Sequence, residues 1–391
     1  LPIAALLALA MTGFICIVTE TLPAGLLPQI ASGLEVTSAM AGQAVTAYAL
    51  GSLLAAIPLT IATSAWRRRN VLLLTVIGFL AFNTLTALSP NFWLTMAARF
   101  MAGTAAGLAW SLLAGYARRM VRLHQQGQAM AIAMIGTPIA LAVGVPLGTS
   151  LGNAVGWRLT FGIMSALAVI LIIWIIAVVP DYPGQPAQAR QPLGKVLSTP
   201  GVRTVLATVI MWMLAHNILY TYIAPFVAQA GQLEQVDVVL LTFGLASLVG
   251  IWATSRIVDR HLRTAVLASL AFFWLTTVMF ALLTQQPVVI YCGVALWGLT
   301  FGGAATLLQT ALADTAGDAA DVALSMNVVA WNSAIAGGGI LGGILLDHWG
   351  AASFPWVMAL LLAAAYGFAW NGRTSGFPPG PRQANAARSS T

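Results

Sequence analysis

The sequence predicts an all-α polytopic membrane protein of twelve transmembrane helices, on three observations. The chain of 391 residues is 59% hydrophobic and only 7% charged, whereas soluble domains carry roughly a quarter charged residues. Twelve apolar stretches are about as long as the ~20 residues one helical span requires. They cover 4–30, 39–62, 70–88, 91–117, 128–152, 158–179, 202–229, 236–257, 264–284, 287–313, 321–346 and 351–371. Basic residues gather in alternate connections between them, the pattern that orients helical spans. Alternation of period two is sustained nowhere, which sets strands aside.

Leu1 opens directly onto span one, which is too long for the apolar region of a signal peptide. Without an initiator methionine, the numbering is expected to begin inside the natural chain. Span one carries Glu20 in CIVTETLPAGLLPQI (16–30), with Pro23 and Pro28 beyond it. Span two holds Gln43 and Tyr48, and span three Asn83, as polar or aromatic candidates at helix depth. Span four holds Arg99, then Gly103, Gly107, Ser111 and Gly115, a small residue at every fourth position, with Trp110 alongside. Span five repeats the device as Gly136, Ala140, Gly144, Gly148 and Gly152. Glycine inside a helix costs about 1 kcal/mol against alanine, so such stripes need a reason. One is close backbone packing; the sharper one is a smooth surface on which bundles slide during a conformational cycle.

Span six closes the first half. Span seven sets Trp212, His216 and Tyr220 on one face at spacing four, with Asn217 and Tyr222 beside them. Spans eight and nine flank SRIVDRHLR (255–263). Span ten carries Gly298, Gly302 and Gln309; span eleven carries Asn327, Trp331, Asn332, Gly338 and Gly342. Span twelve leads into a short tail. Cys16 and Cys292 lie in apolar stretches without metal-ligand spacing and are expected to be inert core residues.

The connections after spans two, four, six and eight, together with the C-terminal tail, hold 15 of the 17 basic residues. Of the other two, Arg158 lies on the opposite side and Arg99 inside span four. Both termini are therefore expected in the cytoplasm. The net charge of +7 and pI near 10.0 express this asymmetry, not a nucleic-acid surface. Lipid headgroups are natural partners for these arginines.

The longest polar interruption, DYPGQPAQARQPLGKVLSTPG (181–201), divides the spans six and six. The expected organisation is a six-helix bundle over 1–180, a cytoplasmic linker over 181–201, a second bundle over 202–372 and a cytoplasmic tail over 373–391. The halves echo one another. Ala62-Thr63-Ser64 recurs as Ala253-Thr254-Ser255, Gly103 and Gly107 as Gly298 and Gly302, Gly144 and Gly148 as Gly338 and Gly342. All three offsets are about 190–195 residues, the sign of a parallel duplicated transporter.

These residues resemble the major facilitator superfamily. RFMAGTAAG (99–107) is similar to its span-four motif, and ALAVGVPLGTSLG (140–152) to the glycine-proline motif of span five in its antiporter branches. GWRLTF (156–161) resembles the opening of its span six. TETLPAGLLPQI (19–30), Arg67-Arg68-Arg69 and DVALSMNVVAWNSAIAGGGILGG (321–343) look like the bacterial sugar-efflux and arabinose-efflux-like branch of the drug:proton antiporters. The resemblance covers essentially the whole chain. It implies a monomer in the bacterial inner membrane, working without cofactors, with Gly144, Pro146, Gly148, Asp259 and Arg260 in conformational motifs. One motif departs from the pattern: ATSAWRRRN (62–70) keeps its arginines but lacks the acid usual there. The cytoplasmic latch on that side is then weakened or uses other partners, whereas Asp259-Arg260 keeps the pair in the second half, unless it is simply an exposed ion pair.

Glu20 is the sole acid inside a span and Arg99 the sole base. At 1.5 Å per residue they lie ~15 Å and ~12 Å from the same face, a shared depth. They form a permanent salt bridge, or Glu20 caps polar groups freed by the prolines, or Glu20 carries a coupling proton. A buried pair is weak evidence for stability. Burial and a neighbouring guanidinium move a carboxyl's proton affinity in opposite senses, arginine keeps its charge throughout, and intramembrane ionisable residues are functional candidates by default.

A substrate wall is expected from Trp212, His216, Asn217, Tyr220, Tyr222, Gln309, Asn327, Trp331 and Asn332, since aromatic faces with Asn and His donors suit a sugar ring or a flat apolar ligand. The alternative places His216 on a neighbouring backbone and Trp212 and Tyr222 in interfacial belts. No phosphate-binding loop and no zincin or paired-carboxylate motif is present, so an enzyme is not expected. The lead function is a proton-coupled exporter of sugars or drug-like molecules by alternating access. An uncoupled facilitator or importer, and a non-transporting receptor or scaffold, remain as alternatives.

Overall fold

The structure is a computed structural model describing residues 1–122, 125–184 and 193–380. Linker residues 185–192 and the tail beyond 380 lie outside the described residues, Arg190, Arg382 and Arg388 among them. Every regular element among the described residues is helical. The chain forms two compact units, Leu1–Gln188 and Ala189–Thr391.

In the first unit, span one is Ile3–Gly25, continued after a break at Leu26 by Leu27–Gly33. Pro23 and Pro28 cause the break, because proline withholds an N–H and its ring crowds the carbonyl four residues back. Spans two, three and four are Ser38–Ala62, Arg68–Leu88 and Phe92–Arg119. Span five is built from Gln126–Met134, Gly136–Ile139, a widened π-helical turn over Ala140–Gly144, and Val145–Val155. Pro146 follows the widened turn, which relieves the same proline clash. Span six is Trp157–Val178.

In the second unit, span seven is Val202–Thr221, followed by Ile223–Ala228. A single helix, Val236–Leu283, then runs for 48 residues. At 1.5 Å per residue it measures ~70 Å, more than twice a bilayer's ~30 Å core, so it supplies spans eight and nine. Among the described residues, eleven helices are long and apolar enough to cross a membrane; this division makes twelve spans. The expected loop between spans eight and nine is thus helical, broken only at His261, whose φ of −135° and ψ of 34° leave the helical region. Asp259 and Arg260 are exposed there. Span ten is Pro287–Gly302 with Ala304–Ala316, span eleven Ala320–Trp349 and span twelve Phe354–Asn371.

The glycines explain how the spans meet. A Cβ on Gly103 would stand 1.9 Å from the Tyr48 carbonyl oxygen, and one on Gly107 2.5 Å from that of Ser52. From the other side, a Cβ on Gly51 would fall 2.0 Å from the Phe100 carbonyl oxygen. Spans two and four therefore touch backbone to backbone. The second unit repeats the contact: Gly298 meets the Phe243 carbonyl at 2.4 Å and Gly302 that of Ser247 at 2.1 Å. In the span-five stripe, Gly136 abuts the Ala10 carbonyl, Gly144 takes Phe14 and Val18, Gly148 takes Leu22 and Gly152 takes Leu26. That stripe is filled by span one of its own unit. Likewise Gly338 and Gly342 receive Asn217 and Tyr222 of span seven. The span-four stripe stops short of Gly115, which has nothing within 4 Å of a notional Cβ.

Apolar side chains fill the core and also cover the outside, with a few polar groups buried among them. Thr12, Thr19, Asn83, Arg99 and Thr276 are buried, while Leu54, Ile173, Leu360 and Trp356 are exposed. Lipid makes this arrangement stable, since apolar side chains gain little by leaving it and polar groups must find partners inside. Cys16 is buried, but Cys292 is exposed and not the core residue expected. Both faces of a membrane helix are apolar, so hydropathy does not distinguish its lipid side from its protein side.

The acid absent from the loop after span two comes from the far end of the unit. Asp181, just beyond span six, accepts from Arg67 Nε and, at 3.2 Å, from the backbone N–H of Arg69. Arg68 N–H donates to the Tyr182 carbonyl at 2.9 Å, and Tyr116 Oη to that of Pro180 at 2.7 Å. Partial desolvation pushes the Asp181 carboxyl up, but the Arg67 and Arg69 contacts outweigh it and hold it below the ordinary 3.8.

Gly103→Ala is expected to lower stability by about 1–3 kcal/mol, the cost of overpacking, and Gly115→Ala, whose methyl meets open space, to raise it by up to about 1 kcal/mol through helix propensity; thermal denaturation in detergent checks both. Because the folded Asp181 carboxyl is held low, its contribution is full above 3.8 and disappears as pH falls through the folded value. With Arg67 65% exposed, Asp181→Asn should cost under about 1 kcal/mol, and denaturation midpoints at pH 7 should register it.

Candidate functional site

In the first unit, Arg99 is fully buried where spans one, two, four and six meet. Its Nε donates to the Ala44 carbonyl and its Nη2 to the Glu20 carbonyl, each at 3.3 Å. The guanidinium carbon lies 5.0 Å from the Tyr48 ring centroid and 5.5 Å from that of Phe161, a cation–π arrangement strengthened by exclusion of water. Tyr48 Oη in turn donates to the Cys16 carbonyl at 2.9 Å. The close approach at Gly103 makes this possible: it brings span four near enough to span two for a side chain one turn away to reach a main-chain carbonyl.

Glu20 is 8% exposed. The shared depth with Arg99 is real, but the guanidinium meets the Glu20 backbone and not its carboxylate. No ion pair or hydrogen bond engages that carboxylate among the described residues. Beside it, Asn83 Nδ2 donates to Thr19 Oγ1 at 3.1 Å. The Asn83 carbonyl oxygen, Thr46 Oγ1 and Arg99 Nη1 are buried without a partner. Gln43, the residue just before Ala44, is partly buried, and Trp110 contacts the Gly13 position.

In the second unit, span seven carries its aromatic row inward. Trp212 is fully buried with no partner for its indole N–H, so it is not in an interfacial belt. His216 accepts at Nδ1 from Trp297 Nε1 at 3.1 Å. Phe301 lies flat on its ring at 3.5 Å and 6°, and Tyr220 stacks at 5.3 Å. Asn217 donates to the Met213 carbonyl at 2.7 Å while its Cβ faces Gly338. Tyr222 belongs to the packing between spans seven and eleven: it is fully buried, its hydroxyl donates to the Gly339 carbonyl at 2.7 Å, and its ring covers Gly342. Asn327 is buried with an unpartnered carbonyl oxygen, Asn332 donates to the Val328 carbonyl, Trp331 is half-buried and Gln309 exposed. The structure thus stacks His216 on Tyr220, with Trp212 one turn earlier on the same helix, but does not bring Tyr222 to them. Sequence reasoning missed Trp297, Phe301 and Phe243; the available signal was that each of the first two directly precedes a glycine of span ten.

The model of the Major Facilitator Superfamily matches residues 9–339. The chain belongs to that superfamily. It is a multi-pass membrane protein of a transporter fold. Similar proteins include a "Probable sugar efflux transporter" of Helicobacter pylori (strain G27), 27% identical over 343 residues, covering 87% of this chain and 88% of that protein. Those of the same name from Mannheimia succiniciproducens and Haemophilus influenzae (strain PittGG) are 28% and 29% identical. They cover 92% and 88% of this chain, and 91% and 87% of those proteins. Among solved structures, the inward open conformation of the xylose transporter XylE from E. coli superposes with a TM-score of 0.76 at 14% identity, covering 99% of this chain and 100% of that one. That likeness establishes the fold of this superfamily member.

Arg99→Lys is expected to lower stability by about 1.5–3 kcal/mol, since one ammonium cannot reproduce a fork spanning two helices. An unchanged thermal midpoint would show that the two carbonyl contacts contribute nothing.

Proposed function

We propose that this chain is a proton-coupled sugar exporter of the bacterial inner membrane, both termini cytoplasmic, working by alternating access as a monomer. The observation that carries the reading is the Glu20 carboxylate: inside a span, buried, and engaged among the described residues by neither ion pair nor hydrogen bond. Burial favours its neutral form and the nearby Arg99 its charged form, so occupancy by a proton responds to small changes around it. Arg99, tethered to main-chain carbonyls, biases the carboxylate without neutralising it permanently. Proton and sugar favour different states, so each shifts the population that admits the other. Export and sugar as cargo draw support from the relatives' shared name.

In the proposed cycle, a proton taken from outside neutralises Glu20 and favours the inward-facing state. Its release inside accompanies sugar binding. The two six-span bundles 1–180 and 202–372, joined by the linker over 181–201, are the moving parts. Gly144, Pro146 and Gly148 at the widened turn of span five, and Asp259 and Arg260, set the conformational equilibrium. Trp212, His216, Tyr220, Asn327, Trp331 and Asn332 contribute to sugar binding.

Glu20→Gln preserves shape while removing the titratable group. In proteoliposomes with an imposed pH gradient, it is expected to abolish proton-driven sugar movement while leaving sugar counterflow and thermal stability near wild type. Full gradient-driven transport by that variant discards the proton role; gradient-independent transport by the wild-type protein points to a facilitator instead.

A further inference from the structure

From the sequence, His216 is expected to donate a hydrogen bond to a substrate or to satisfy a neighbouring backbone. The structure restricts it. An indole N–H only donates, so the 3.1 Å contact from Trp297 Nε1 requires an unprotonated Nδ1 on His216. In a neutral imidazole the proton then sits on Nε2. An imidazolium would set two N–H donors against each other.

Other neighbours close off the alternatives. Phe301 covers a ring face at 3.5 Å, Tyr220 stacks at 5.3 Å, and Phe243 lies 5.8 Å away. The faces are engaged by aromatic neighbours, so the ring's free edge is what remains for a ligand. Among the described residues nothing hydrogen-bonds Nε2, and it is not among the atoms sealed off without a partner; His216 keeps 6% exposure. One turn earlier on the same helix, the Trp212 indole N–H is buried and unpartnered. Span seven therefore carries two neutral N–H donors four residues apart, of which the His216 edge is the one open to a ligand in this state, the Trp212 indole N–H being sealed.

We propose that Trp297 is a positioning residue that locks His216 as a one-way donor through Nε2–H, so that this face of the second unit selects a neutral, oxygen-rich substrate by its acceptor oxygens. A protonated amine meets an opposing N–H at His216 and is left only the Tyr220 hydroxyl, one turn on, as an acceptor on this row. This refines the sugar-exporter reading and rests on it for the identity of the substrate, but the locked tautomer does not depend on transport.

The first measurement needs no ligand. In ¹⁵N-histidine-labelled full-length protein in nanodiscs, the His216 signals, identified by their loss in His216→Gln, should show a pyridine-type, hydrogen-bonded Nδ1 and a protonated Nε2. In Trp297→Phe the Nδ1 signal should move to that of an unbonded nitrogen. A proton on Nδ1 in the wild-type protein, or an Nδ1 signal unmoved by Trp297→Phe, overturns the lock. The second measurement uses xylose as probe in proteoliposomes. Trp297→Phe should raise KM about tenfold, the scale of one hydrogen bond, with kcat little changed. His216→Gln, whose amide can accept from Trp297 and still donate, should stay within about threefold of wild type, and His216→Leu should not. Equal KM for Trp297→Phe and wild type overturns the selection role. Absence of xylose transport by the wild-type protein counts against the sugar reading, while the nitrogen signals still decide the lock.

Discussion

Backbone-to-backbone contact between spans two and four is the constraint from which the first unit's chemistry follows. With no side chain on Gly51, Gly103 or Gly107, the two helices approach until main-chain carbonyls fill the space a methyl group would need. Lipid provides no hydrophobic drive for helices to associate, so close packing of this kind holds them. Arg99, one turn from Gly103, is thereby brought within reach of Ala44 on span two and Glu20 on span one. A guanidinium in a membrane interior is tolerable only with such partners. Packing and charge are one arrangement here: larger residues at the glycines would carry the arginine away from both carbonyls.

The second unit keeps the packing and changes the chemistry. Gly298 and Gly302 repeat the approach at the same sequence offset, against Phe243 and Ser247 in place of Tyr48 and Ser52. Where the first unit sets a buried charge over an aromatic ring, the second sets a histidine among Trp297, Phe301 and Tyr220. The duplicated scaffold thus holds an ionisable centre in one copy and a neutral, hydrogen-bonding one in the other. That difference fits a division between proton handling and sugar recognition, with each centre held by its own helix pair.

Much of the fold was legible because membrane helices announce themselves by length and hydropathy. The spans lay within a few residues of their expected bounds, and Glu20 and Arg99 stood out as the lone charges inside them. Less legible were features set by pairs distant in sequence. Asp181 answers Arg67 across 114 residues, so the missing acid of the loop could not be found by reading the loop. Gly115 continues a stripe on paper but faces open space, because a sequence period does not say where a partner helix ends. Cys292 is apolar in context and yet exposed, since lipid and core favour the same residues.

Alone, the sequence determined that the chain crosses a membrane many times and which two charged residues are buried within its spans. These follow from local composition, which a bilayer reads residue by residue. Tertiary structure alone decided that Arg99 grips the Glu20 main chain and leaves the carboxylate free, that Trp297 meets His216, and that Tyr222 turns to span eleven. Each depends on where two helices cross and on a side chain's direction across a gap of a few ångströms, quantities to which hydropathy is blind.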